Sequence, residues 1–306
     1  MIEEINDLLK EFFEDSELNR LPEKYGGGKI FSDPLLGVAS GADPIFLKFK
    51  DLITPEYLTP LELWTSANNS KTDSSKLRVL SIVFPFVPKI REESKNTIKL
   101  SRLILPAEIY CVGRNYANEF KKETLRYVIK NLVSRGYNAV GAMLSNAFTV
   151  LTEGDFYSNW SERHTAFAAG LGTFSLHEGL ITEAGCNIRL ASLVTDAPLE
   201  ITPKKIKDPY ANCLYYAKGT CRKCEENCPA NAITENGHDK IKCYVYGRKV
   251  ERKVNHRIGN ILKPHYRRID GKYKRQEPPV GCAFCQFNVP CMNKNPMKDY
   301  QEDGTL

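Results

Sequence analysis

At 306 residues the chain has room for one large or two ordinary domains. Its 42% hydrophobic content is ample for a real core, and its 26% charged content is average for a soluble protein. The formal charge is +6, yet residues 240–275 carry thirteen Lys/Arg against Glu251 and Asp270, a local +11 that leaves −5 for the rest. The basic character is therefore confined to one segment. The longest apolar runs, such as VLSIVFPFV at 79–87, are too short to span a bilayer and contain a proline. No twin-arginine or other secretory leader is recognisable, so a cytoplasmic, reducing setting is expected, with the ten cysteines unpaired by disulfides.

In chain order, the start MIEEINDLLKEFF predicts an amphipathic helix with Ile5, Leu8, Leu9 and Phe12 on one face. KLRVLSIVFPF predicts a buried strand ended by Pro85 and Pro88. In EFKKETLRYVIKNLVSRG, Leu125, Val128, Ile129, Leu132 and Val133 recur at helical spacing and Gly136 supplies the stop. NAVGAML at 138–144 reads as a short strand. SERHTAFAAGLG at 161–172 reads as a helix opened by Ser161 and closed at Gly170 or Gly172, and IRLASLVTD at 188–196 as a strand. Pro198, Pro203 and Pro209 then punctuate a boundary. The expected organisation is an α/β domain over 1–204, followed by a small α+β domain over 205–306 with a basic insertion at 240–275.

Eight of the ten cysteines lie between 213 and 291. Their pattern is Cys213-x7-Cys221-x2-Cys224-x3-Cys228-Pro229, then Cys243, then Cys282-x2-Cys285-x5-Cys291. Two sets of four thiolates suit two [4Fe–4S] clusters. In bacterial ferredoxins the cysteine before the proline ligates the other cluster. That logic assigns Cys213, Cys221, Cys224 and Cys291 to one cluster, and Cys228, Cys243, Cys282 and Cys285 to the second. Zinc knuckles are the competing reading, although zinc leaves the CPANAI turn unexplained. The remaining two, Cys111 and Cys186, read as buried small apolar residues.

RHTAFAAGLGTFSLHEGLITEAGCNIRLASLVTDAPL at 163–199, followed by the double cysteine set, resembles the epoxyqueuosine reductase and reductive dehalogenase superfamily. YCVGRNYANEF at 110–120 and KCYVYG at 242–247 are similar to further segments of those proteins. The resemblance implies a nitroreductase-like α/β domain that binds cobalamin, backed by a ferredoxin-like domain with two clusters, and a reductase activity. It draws the cofactor site from Arg114, Tyr116, Arg163, Gly170, Gly172 and Thr173. The glycines would let backbone approach a bulky ring, or would simply cap a helix and turn. The sequence departs from the family at the acid. Ungapped matching puts Phe156 where epoxyqueuosine reductases carry an aspartate, leaving Asp155 and Tyr157 as candidate proton donors. Glu153 and His164 are weaker candidates, His164 reading as a packing histidine.

The basic segment, with tyrosines interleaved, has three readings: a tRNA contact, a dock for a reduced ferredoxin or flavodoxin, or a balance for anionic clusters. A second class stays open beside the enzyme, namely a corrinoid-free electron-transfer protein serving a partner. The substrate and oligomeric state are open.

Overall fold

The computed structural model describes residues 1–68, 72–151, 156–204, 206–269 and 272–299. The architecture is mixed α/β. Four strands form the main sheet in the order Leu35–Ser40, Arg78–Pro85, Ile188–Thr195, Ala139–Gly141, and every neighbouring pair is antiparallel. Leu193 faces Leu80 on one side and Gly141 on the other, which fixes the register across three strands. Both faces are buried. Leu80, Ile82 and Phe84 pack to one side and Val79 to the other, so an alternating pattern is read in sequence as an unbroken apolar run.

One face is covered by the first helix, Ile2–Asp15, and by a 27-residue helix, Glu108–Ser134. Phe12, Phe13, Phe31, Phe84 and Phe120 meet there as an aromatic cluster, with Phe13 and Phe120 centroids 4.8 Å apart edge to face. The first helix buries Ile5, Leu9 and Phe13, one residue further round than the expected Phe12, which stacks on Tyr127 at 4.5 Å. The other face carries Phe46, Phe49, Tyr57, Trp64 and Trp160. The long helix starts eleven residues before the periodic stretch read from sequence, because YCVGRNYANEF is itself helical and almost wholly buried. Gly136 follows its C-terminus at φ +86°. The expected strand at 138–144 is only three residues long and passes into a 3₁₀ turn at Ala142–Leu144.

Beyond residue 206 the chain runs through short helices and turns, then a 19-residue helix, Lys240–Ile258, and a hairpin of His265–Ile269 with Lys272–Gln276. This part shares the hydrophobic core of the long helix rather than hanging free. Val250, Val254 and Ile258, four residues apart, face inward. Tyr110 meets Phe287 edge-on at 4.7 Å, and the Tyr116 hydroxyl donates to the Ile261 carbonyl at 2.9 Å. No helix among the described residues is long and apolar enough to cross a membrane.

Candidate metal and anion centre

Cys213, Cys221, Cys224 and Cys291 line one small cavity of about 20 Å³. Their carriers explain the convergence. Cys213 precedes a one-turn helix, Leu214–Lys218, that Gly219 ends at φ +70°. Cys221 and Cys224 flank the start of the turn Lys223–Glu226. Cys291 arrives from 62 residues after Pro229, held by its carbonyl, which accepts the Cys186 N–H at 2.8 Å. The remaining wall is apolar apart from Ser175 and His177, and no carboxylate lines it. A four-thiol, acid-free and largely dry cavity fits a [4Fe–4S] cluster. Burial pushes the Cys224 thiol up to about 12, with Cys291, Cys213 and Cys221 adding to the rise. That mutual repulsion is what a bound cation would relieve.

Cys228, Cys243, Cys282 and Cys285 gather as a second group. Burial pushes Cys282 up to about 12, with Cys243 and Cys228 contributing. Cys285 rises well above the ordinary thiol range through burial, then through Cys282, Cys243, Cys224 and Cys228. Cys224 belongs to the first set, so the two groups lie within electrostatic reach of each other. Cys243 is exposed on the first turn of the basic helix, which Asp239 caps by accepting the Lys242 N–H at 2.9 Å. His238 stands beside it. Hydrogen bonds donated to Cys243 and then to Glu178 push His238 up to about 9, and its Nδ1 lies 3.3 Å from the Glu178 carboxylate.

A set of charged side chains adjoins the second group. Arg114 and Lys121, seven residues apart, share one face of the long helix. Glu162 and Arg163 open the helix Glu162–Ala168, and Arg189 comes from the strand Ile188–Thr195. Arg163 is open to solvent, yet enough protein surrounds it for desolvation to lower its pKa, with Glu178, Cys243 and Cys285 pulling the other way. Burial lowers Arg189 to about 10, assisted by Arg114, and its Nε is buried with no partner. Lys121 is buried and donates to the Leu190 carbonyl at 3.2 Å; burial and then Arg189 lower its pKa. Burial raises the pKa of Glu162, whose carboxylate accepts the Ser192 hydroxyl at 2.5 Å. Arg189 is within electrostatic reach of Arg114 and Arg163, and Lys121 of Arg189, Arg114 and Glu162, and the surplus positive charge of this group suits a phosphate or other anion.

The residues drawn from the resemblance separate in space. Arg114 and Arg163 belong to the charged group beside the second set of thiols. Tyr116 bonds to Ile261 and carries the Lys263 ammonium over its ring at 4.4 Å. Thr173 is buried, and its hydroxyl accepts the Asn212 N–H at 2.8 Å. A Cβ at Gly172 would collide with the Ile181 carbonyl, so the hairpin of Gly172–Phe174 with Leu180–Thr182 itself requires that glycine. Gly170 turns the chain at φ +74°, and a Cβ there would meet Pro203, Thr202 and Lys204 only in ordinary contact at 3.7 to 3.9 Å. Tyr157 lies on the short strand Tyr157–Ser158, and its neighbour Phe156 packs on Tyr244, next to Cys243, at 4.9 Å. Asp155 and Glu153 lie outside the described residues. His164 sits between Phe49 and Phe174, with Nδ1 2.7 Å from the Ser161 hydroxyl, and burial pushes it down to about 4.

Lys121, Glu162, Arg189 and His177 were not singled out from sequence. The one available signal was the spacing of Arg114 and Lys121 on a helix otherwise read as beginning at 119. Burial of Cys186 matches the reading from sequence, but its Sγ also lies 3.7 Å from that of Cys291.

No protein-family model matches the chain. It is 28% identical over 215 residues to an epoxyqueuosine reductase of Cyclobacterium marinum, covering 69% of this chain and 57% of that protein. The chain thus spans little more than half the length of the curated relative it matches. Among solved structures, an epoxyqueuosine reductase from Bacillus subtilis aligns with 96% of the chain and 69% of its own at 16% identity and TM-score 0.45. A B12-dependent reductive dehalogenase aligns with 70% of the chain and 27% of its own at 18% identity and TM-score 0.43. The sequence relative is of the kind that the stretch at 163–199 resembles.

Proposed function

We propose that the chain is an iron–sulfur oxidoreductase, similar to epoxyqueuosine reductase, that delivers electrons one at a time to an anionic ligand held by the cations beside the second sulfur group. The observation that carries this reading is the adjacency of two four-thiol groups, of which only the second borders the surplus of cations. Cys213, Cys221, Cys224 and Cys291 would hold one [4Fe–4S] cluster and Cys228, Cys243, Cys282 and Cys285 the other, within a ferredoxin-like part over 205–306. The clusters supply one-electron transfer, and a corrinoid, where one binds, supplies a strongly reducing metal centre.

The chain's own side chains do the rest. Cys224 and Cys285 bring the two sulfur groups together, and the cavity wall of Leu214, Ile181 and Val289 keeps water from the first. Arg114, Arg163 and Arg189 orient the ligand through its negative charge. The cation surplus fits the phosphate of a cobalamin, whereas Tyr116, Gly172 and Thr173 are engaged within the protein and would not touch it. Glu162, whose carboxyl burial pushes up, and Tyr157, beside Phe156, are the proton donors we assign. Phe156 on Tyr244 covers the Cys243 end.

A tRNA substrate is consistent with the basic helix, whose Lys249, Arg252 and Lys253 face solvent. A reduced ferredoxin or flavodoxin is the electron donor of matching charge. The test is anoxic purification, reconstitution and titration with cobalamin. A protein-bound corrinoid spectrum that saturates at one per chain, and weakens at least tenfold in Arg189→Met, supports the enzyme. Unchanged free-cofactor absorption favours an electron-transfer protein that serves a partner.

A further inference from the structure

Beside the first sulfur group lies a feature that a four-thiol site does not need. A ring nitrogen of His177 and the sulfurs of Cys186 and Cys291 all lie within 4.8 Å of one another, and His177 and Cys291 line the cavity that Cys213, Cys221 and Cys224 also line. His177 is 5% exposed and Cys186 2%. Neither is free to turn away. The turn from Ser175 to Gly179 is closed by Ser175 N–H to Gly179 O at 3.0 Å and Glu178 N–H to Ser175 O at 2.8 Å. A Cβ at Gly179 would run into the imidazole. Cys186 is fixed by its backbone bond to Cys291, and Asn187 N–H donates to Met292 O at 3.2 Å just beyond.

The direction of the imidazole proton follows from its surroundings. His177 Nδ1 accepts the Gly179 N–H at 3.2 Å, so the neutral ring carries its hydrogen on Nε2. Nε2 is buried and has no partner among the protein's oxygens and nitrogens. An unpaired buried donor costs about 1–3 kcal/mol, whereas a thiolate sulfur would satisfy it. The Cys186 thiol is at hydrogen-bonding distance from the same sulfur.

We propose that His177 and Cys186 are positioning residues that donate hydrogen bonds to the Cys291 thiolate and thereby raise the reduction potential of the cluster it holds. This rests on the iron–sulfur reading above. Donors to a ligating sulfur stabilise the more negative, reduced state; the second group has donors of its own, His238 at Cys243 and the Ala232 N–H at Cys228 Sγ, 3.3 Å away. The donors at Cys291 are side chains buried in the α/β part of the chain, so that part would set the potential of the first cluster. Cys186 is a fifth thiol at a four-thiol site, serving as donor rather than ligand.

The experiment begins with iron and sulfide per chain in the anoxic wild type, then titrates both clusters by electron paramagnetic resonance against a potential scale. His177→Leu removes one donor, His177→Gln keeps an N–H, Cys186→Ala removes the other donor, and Cys186→Ser keeps an O–H. The expected result is full iron in every variant. The reduction equilibrium of one cluster should weaken about tenfold in His177→Leu, about 59 mV for a one-electron couple. Cys186→Ala should shift the same cluster in the same direction, with recovery in the Gln and Ser variants. Unchanged potentials in both removal variants overturn the proposal, and so does loss of half the iron in the Gln and Ser variants, which would make these residues ligands or framework. A wild type without iron removes the cluster reading itself, and the first measurement registers that separately.

Discussion

Gly185 offers a way to disturb the metal centre without touching a thiol. It adopts φ +81°, and a Cβ there would collide with the Met292 carbonyl. Immediately after it, Cys186 N–H to Cys291 O and Asn187 N–H to Met292 O stitch the sheet to the segment that delivers Cys291. In Gly185→Ala the left-handed conformation costs about 1–2 kcal/mol. Separating the segments enough for the methyl group loses two hydrogen bonds, about 0.5–1.5 kcal/mol each. The combined loss is about 2–5 kcal/mol, and Cys291 moves off the cavity. Gly136→Ala is the control: it has nearly the same φ, +86°, with nothing within 4 Å of the added carbon, so it costs only the conformational part. Thermal midpoints with iron and sulfide analysis on anoxic protein read both effects. Gly185→Ala should lose half its iron and more stability than Gly136→Ala, which keeps all of it. Full iron in Gly185→Ala would refute the claim that this backbone seam seats Cys291.

Three further outcomes follow from named groups. Cys285→Ser should lose about half the iron while Cys111→Ser, a change at a thiol buried within the long helix, keeps it; equal content in the two would remove the distinction between ligand and packing cysteines. His164 is held down to about 4 from an ordinary 6.5, so the fold favours its neutral form. The unfolded chain binds the extra proton below about 6.5, and stability should fall from pH 6.5 toward pH 4, by about 2–3 kcal/mol in all. His164→Phe should flatten that limb of a urea-unfolding series, and an unchanged slope would contradict the assignment. For a tRNA probe, Arg252→Ala and Lys253→Ala should weaken binding about equally across sequences, each lowering the logarithmic salt slope by roughly 0.7–0.9; a slope that does not move would place the phosphate contact elsewhere.

What could be read before the fold was known depended on how far apart the cooperating residues lie in sequence. The cysteine runs around 221–228 and 282–285 carry their geometry in local spacing, and the strands 78–85 and 188–195 carry theirs in composition. The charged group does not. Arg114 and Lys121, Glu162 and Arg163, and Arg189 come from three elements, and their convergence depends on the long helix crossing the strand Ile188–Thr195. The helix start was missed because YCVGRN is buried nearly all round, which erases the periodicity that marks an amphipathic helix. Gly172 looked like room for a ligand, yet the packing of its own hairpin accounts for it. His177 and Cys186 gave no signal, since their meaning depends on one backbone pairing, Cys186 with Cys291, across 105 residues.

The most direct test is metal analysis of protein purified without oxygen, combined with electron paramagnetic resonance after reduction. The account predicts about eight irons and eight sulfides per chain, in two magnetically interacting four-iron centres. Zinc in place of iron, or a single four-iron centre insensitive to Cys285→Ser, would contradict it.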